Sequence, residues 1–166
     1  MTGRGVRLRT ATPEDSAFFA RVYAASRAEE LAPVPFSPAD KEGFLAQQFA
    51  AQSVHYARYY GGASYEVIEV GGEPAGRLIV HRTGERILVV DIVLLPEFRG
   101  RGVGTGLLEP ILRDGDRARL PVQIHVERAN PALRLYERLG FVPVDDDGIY
   151  YTMERPPAGG QPKTAS

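Results

Sequence analysis

Glycines at every second position and two arginines crowd the segment Arg99-Gly100-Arg101-Gly102-Val103-Gly104-Thr105-Gly106. It lies between an apolar run ending at Leu95 and a helical pattern that starts at once. Where side chains are missing, backbone N–H groups can converge, and a helix N-terminus adds partial positive charge. Together they form a cradle suited to a pyrophosphate. The spacing excludes two common cradles. A dinucleotide-binding turn needs G-x-G-x-x-G, but its third glycine would fall on Thr105 counted from Gly100, or on Leu107 counted from Gly102. A P-loop ends in Gly-Lys-Ser/Thr, and this loop contains no lysine. What remains is Arg99-x-x-Gly102-x-Gly104, flanked by Gly100 and Gly106. A glycine-rich strand-to-helix turn without a ligand is the competing reading of the loop alone.

Such a loop needs a strand before it and a helix behind it. Ile87 through Leu95 is the most apolar strand pattern in the chain, interrupted only by Asp91, and is expected at the centre of a sheet. The helix should occupy about Val103 to Arg117, disturbed at Pro110 and ended near Gly115. Upstream, Val6-Arg7-Leu8-Arg9 alternates as a short strand, and Thr12-Pro13-Glu14-Asp15 opens a helix to about Leu31 with Phe18, Phe19, Val22 and Tyr23 buried. Ser37-Pro38 opens a second helix through about Tyr59, whose stripe Phe44, Leu45, Gln48, Phe49, Gln52 reads as core with a polar edge. Strands are expected at 65–70, 76–81, 122–126, 141–144 and 149–153, and a last helix from the Asn130-Pro131 cap to Gly140. The order β-α-α-β-β-β-α-β-α-β-β predicts an α/β protein with a mixed, largely antiparallel sheet.

The segment Asn130-Pro131-Ala132-Leu133-Arg134-Leu135-Tyr136-Glu137-Arg138-Leu139-Gly140-Phe141 completes the pattern. With the glycine loop, its Ala132, Tyr136, Gly140 and Phe141 resemble the GNAT superfamily of acyl-CoA N-acyltransferases. The resemblance spans about residues 5 to 155 and is strongest from Val89 to Phe141. It implies a sheet of about seven strands with four helices, and central strands splayed into a cleft for CoA. It implies an enzyme that moves an acetyl group from acetyl-CoA, as co-substrate, directly to a primary amine, with no metal. A non-catalytic CoA-binding or sensor domain of the same fold is the alternative.

The same resemblance assigns roles. Backbone groups of Ile92 and Leu94 would pair with the pantetheine arm like an added strand. N–H groups from Arg99 through Gly100, Arg101, Gly102, Val103, Gly104 and Thr105 would hold the pyrophosphate, with the two guanidinium groups on its oxygens. Asn130 would contact pantetheine, although it stands one residue closer to the tyrosine than the usual form, and helix capping explains it equally well. Tyr136 would protonate the departing thiolate; the alternative is a tyrosine packed beneath the ligand. Asp91 is the leading general base, since burial raises a carboxyl pKa; a strand acid that orients a loop is the alternative. His125 and then Glu127 follow. The acceptor side, built from the first two helices and the closing strands, offers Glu29, Glu30, Phe36, Gln48, Gln52, His55, Tyr56, Tyr59 and Tyr60, with the aromatic stretch from His55 to Tyr65 the first place to look for specificity.

Composition narrows the partners. The chain has 166 residues, enough for one domain over 1–156, with 157–166 read as a flexible tail. It has no cysteine, which removes thiol catalysis and zinc-thiolate sites and fits a cytoplasmic protein. A net charge of −1 gives no basic field for nucleic acid. No apolar run approaches the ~20 residues that span a membrane, and Met1 to Gly5 leads into a strand with no apolar signal core. The acceptor is therefore expected to be a small-molecule amine or a peptide or protein amine. Many relatives form homodimers; no long exposed apolar stripe in this sequence demands it.

Overall fold

The computed structural model describes residues 5–128, 130–148 and 150–159. The elements follow the expected order: β1 (Val6–Thr10), α1 (Ser16–Leu31), α2 (Pro38–Tyr59), β2 (Ser64–Val70), β3 (Glu73–Arg82), β4 (Ile87–Leu94), α3 (Val103–Ala118), β5 (Val122–Glu127), α4 (Leu133–Arg138), β6 (Val142–Asp146) and β7 (Tyr150–Arg155). Helix starts carry the predicted chemistry. Asp15 accepts from the Thr12 backbone N–H at 2.8 Å, and the Ser37 hydroxyl accepts from Asp40 N–H at 3.1 Å.

The seven strands form one sheet in the order β1-β2-β3-β4-β5-β7-β6. Only β4 and β5 run parallel, and they pair over Ile87–Val89 against Val122–Ile124. Beyond Val89 the strands part. On the β3 side of β4 the register shifts, with Val89 opposite Val80 and Asp91 opposite Ile79, so Val90 is an extra residue. A bulge of this kind bends and re-aims the strand. Here it sits where β4 leaves β5, and it opens a wedge in the middle of the sheet.

The main core lies under α3. Leu107, Leu108, Ile111 and Leu112 pack against Leu78, Val80, Val89, Ile124, Val126 and Met153, all buried. At about 1.5–3 kcal/mol for each buried aliphatic side chain, this face outweighs the roughly 3 kcal/mol that an interior proline costs. The helix accordingly runs through Pro110 without the expected break. Gly115 does not end it either. A Cβ at that position would lie 2.9 Å from both the Leu120 carbonyl oxygen and Val122 Cγ2, so the glycine allows close approach to β5. The helix stops at Arg119, in the left-handed conformation at φ 56°.

The last helix is shorter than expected and covers Leu133–Arg138; Asn130 caps the turn ahead of it by accepting from Ala132 N–H at 2.8 Å. Of the expected final strand, Ile149 lies outside the described residues, as do Met1–Arg4 at the start and residues 160–166 of the expected tail.

Candidate active site

The wedge between β4 and β5 organises the site. Leu95 N–H donates to Ala75 O across to β3 at 2.8 Å, and the Arg99 Nε donates to Leu94 O on the opposite edge at 3.0 Å. Backbone groups alternate sides along a strand. The N–H groups of Ile92 and Leu94 therefore point to the edge that β5 has left. Gly76 makes this geometry possible, because a Cβ there would fall 2.0 Å from the Val93 carbonyl oxygen.

At the end of β4 the chain turns through Gly100 and Gly102, at φ 74° and 78°, and Gly102 caps α3. The Gly106 N–H donates to Gly102 O at 3.0 Å and closes the first turn of the helix. The N–H groups of Val103, Gly104 and Thr105 belong to the first turn, where a helix has no internal acceptors, and so they face out of the helix start. Arg99 and Arg101 are both exposed; Arg101 rests its guanidinium 5.6 Å from the Phe98 ring centroid.

Tyr136 is buried on α4, edge-on to Phe141 with 6.0 Å between ring centroids. Burial, and then the negative charge of Asp91, push its phenol up to about 12. The charge of Asp91 thus reaches Tyr136 although the two are far apart in sequence. The Asp91 carboxyl is itself pushed up by burial, opposed by the Arg77 guanidinium bonded to it. Raised pKa values of this kind keep a carboxylate ready to accept a proton and a phenol protonated at neutral pH.

The other two candidates lie on β5 just past Ile124, where that strand has left β4. His125 is exposed on β5 opposite Thr152, and its pKa is lowered by desolvation and by Arg86. Glu127 is held by Arg27 of α1 at 2.8 Å, and the same Arg27 nitrogen donates to Glu30 at 3.1 Å. A cavity of about 260 Å³ opens beside this pair between α1, α2 and the start of β7. Its walls include Tyr23, Arg27, Glu30, Phe44, Gln48 and Tyr150. The stripe of α2 is thus divided. Phe44, Leu45 and Gln48 line the cavity, while Phe49, Gln52 and Tyr56 lie at Arg77, and no residue of α2 is fully buried. Reading the stripe as core was wrong. The helix lies against α1, where Phe49 meets Tyr23 at 5.7 Å between ring centroids, and reaches the sheet at the buried Arg77.

The aromatic stretch expected to set specificity lies apart from this cavity, with its Tyr56 at Arg77. His55, Tyr59, Tyr60 and His81 form an aromatic cluster at the far end of α2, with the His55 and Tyr59 ring centroids 4.7 Å apart, and none of them lines the cavity. Glu29 and Phe36 are exposed outside it.

Sequence reasoning missed Arg77. Its signal was present: one arginine interrupts the apolar run of β3 as one aspartate interrupts β4, and the two strands form a hairpin. Arg27 and Tyr150 carried no comparable signal. Among the described residues, no group of three or more His, Asp or Glu side chains could hold a metal ion, and no helix is long and apolar enough to cross a membrane.

A largely antiparallel sheet, splayed at its one parallel pair beside a glycine-capped helix, defines the architecture of an acyl-CoA-dependent acyltransferase. Residues 57–143 match the family model described as an acetyltransferase (GNAT) domain, and the chain belongs to that family of acyl-CoA N-acyltransferases. No curated protein sequence matches it. The chain is similar in fold to the PaiA N-acetyltransferase of Thermoplasma acidophilum in complex with coenzyme A, at TM-score 0.68 and 18% identity over 91% of this chain and 98% of that one. It is similar to a Corynebacterium glutamicum protein described as histone acetyltransferase HPA2 and related acetyltransferase, at TM-score 0.65 and 20% identity over 96% of this chain and 99% of that one. Arabidopsis thaliana Naa50 in complex with a bisubstrate analogue, CoA-Ac-MVNAL, aligns at TM-score 0.59 and 16% identity over 91% of this chain and 98% of its own.

Proposed function

We propose that this protein transfers the acetyl group of acetyl-CoA directly to a primary amine. The observation that carries the reading is the wedge after Val89, with a glycine-capped helix start at one end and Asp91 on the strand that forms its edge. Ile92 and Leu94 offer backbone groups to the pantetheine arm, and the N–H groups from Arg99 to Thr105 together with the two arginines serve the pyrophosphate. The amide of Asn130 adds a contact to pantetheine beside its capping role.

Asp91 takes the proton from the acceptor ammonium, and the free amine attacks the thioester carbonyl. The carbon–sulfur bond then breaks, the Tyr136 hydroxyl donates its proton to the departing sulfur, and the surplus proton on the attacking nitrogen returns Tyr136 to its neutral form as the amide forms. The fold neighbours bound to CoA or to a CoA-peptide analogue support the donor side. On the acceptor side, a cavity of about 260 Å³ suits a small amine or a terminal amine of a peptide.

The test is thermal unfolding with acetyl-CoA, CoA or NADH. Either CoA species at ~100 times its Kd should stabilise the fold by about 2.7 kcal/mol, or roughly 5–10 °C, and NADH should not. No shift with either CoA species would sink the reading.

A further inference from the structure

Arg77 is a charged side chain only 5% exposed, in the strand next to Asp91. Its Nη2 donates both to the Asp91 carboxylate and, at 2.9 Å, to Gln52 Oε1 on α2. Its guanidinium lies 5.3 Å from the Phe19 ring centroid on α1, and 5.8 and 5.9 Å from those of Phe49 and Tyr56 on α2. Its Nε is buried without a hydrogen-bond partner. A buried ion pair with an unsatisfied donor is a poor way to gain stability, since well-packed apolar groups do as well or better. Meanwhile α2 has no fully buried residue, and three of its half-buried residues, Phe49, Gln52 and Tyr56, meet this one guanidinium.

We infer that Arg77 is the positioning residue of the site: it holds the Asp91 carboxylate in place and ties that placement to the seat of α2, whose Phe44, Leu45 and Gln48 wall the acceptor cavity. This rests on Asp91 acting as the base. It goes further in making acceptor binding and base geometry one mechanical unit. Charged and titratable groups face Asp91 from each neighbouring element: Arg77 from β3, Arg27 from α1, Tyr56 from α2 and Tyr136 from α4. Arg77 alone among them bonds it through a side chain.

The experiment uses the full chain labelled with carboxyl-13C aspartate, with the Asp91 resonance assigned by its loss in Asp91→Asn. In Arg77→Met the Asp91 carboxyl should titrate about one to three pH units higher than in the parent, because burial is then unopposed. Arg77→Lys keeps a charge and should recover most of that shift. Amide hydrogen exchange supplies a second readout. Asp91→Asn, at a carboxylate whose side-chain hydrogen bond goes to Arg77 and not to α2, should speed exchange over Phe49–Tyr56 about tenfold and leave α3 unchanged. An unmoved Asp91 titration in Arg77→Met overturns the inference, and so does unchanged α2 exchange in Asp91→Asn. Should Arg77→Met fail to fold, Arg77→Lys and the exchange readout decide alone. Kinetics with tyramine and spermidine separate this inference from its parent: a pH–rate limb that survives Asp91→Asn removes Asp91 as base, whatever Arg77 does.

Discussion

Two helices flank the same cleft and are built on opposite principles. α3 buries seven of its sixteen residues and closes on the sheet through glycine contacts. α2 is longer, with twenty-two residues, and buries none of them. In the proposed function the first follows the loop assigned to the cofactor, and the second lines the cavity assigned to the acceptor. A pyrophosphate is the same whatever the acceptor, so its cradle can be locked into the core. An acceptor pocket is adjustable when its wall is held by a few polar and aromatic contacts, and here those contacts converge on Arg77.

This contrast can be broken at several points. The largest effect is expected at the chemistry itself. Tyr136→Phe keeps the ring against Phe141 and removes only the donor, so kcat should fall about 10²- to 10⁴-fold while the unfolding temperature stays put. A fall of less than tenfold would return Tyr136 to a packing role. Gly76→Ala should cost about 3 kcal/mol or more, some 6–12 °C, because its Cβ meets the backbone oxygen of Val93. CoA affinity should drop with it, since β4 must move. A fully stable Gly76→Ala would mean that the two strands can slide apart, against the rigid picture of this half.

On the α2 side the order reverses. Phe44 is 39% exposed and meets Phe36 edge-on, so Phe44→Ser should cost only about 1–2 kcal/mol of stability. It should nevertheless raise KM for the acceptor several-fold while leaving CoA binding intact. An equal loss for both substrates would erase the division between the helices. The smallest effect concerns Asp15, which Arg9 and the Thr12 N–H hold down to about 2, below its ordinary 3.8. A depressed carboxyl stabilises the fold above its unfolded pKa, and that contribution fades as pH falls from about 4 toward 2. Asp15→Asn should flatten the stability profile in that window alone, as read by denaturant unfolding at stepped pH.

Much of the cofactor half was legible because it depends on local chemistry. Positive φ at Gly100 and Gly102 needs glycine, a helix must start after them, and the apolar run of β4 announces a central strand. Where local rules misled, packing had overridden them. Pro110 and Gly115 read as breakers, yet the buried face of α3 carries the helix past one and uses the other for close approach. The acceptor half was less legible. Phe44 and Phe49 share a helical stripe, but one lines a cavity and the other meets an arginine.

The sequence by itself determined the order of elements, the glycine cradle and the two segments that mark the family, because each rests on backbone conformation and near-neighbour spacing. Tertiary structure alone decided the strand order that slots β7 between β5 and β6, the parting of β4 from β5 after Val89, and the pairing of Arg77 with Asp91. Those depend on which faces meet across distant stretches of chain. Two lone charges in apolar strands have no cause to be read together until the hairpin brings them side by side and burial forces them to pair.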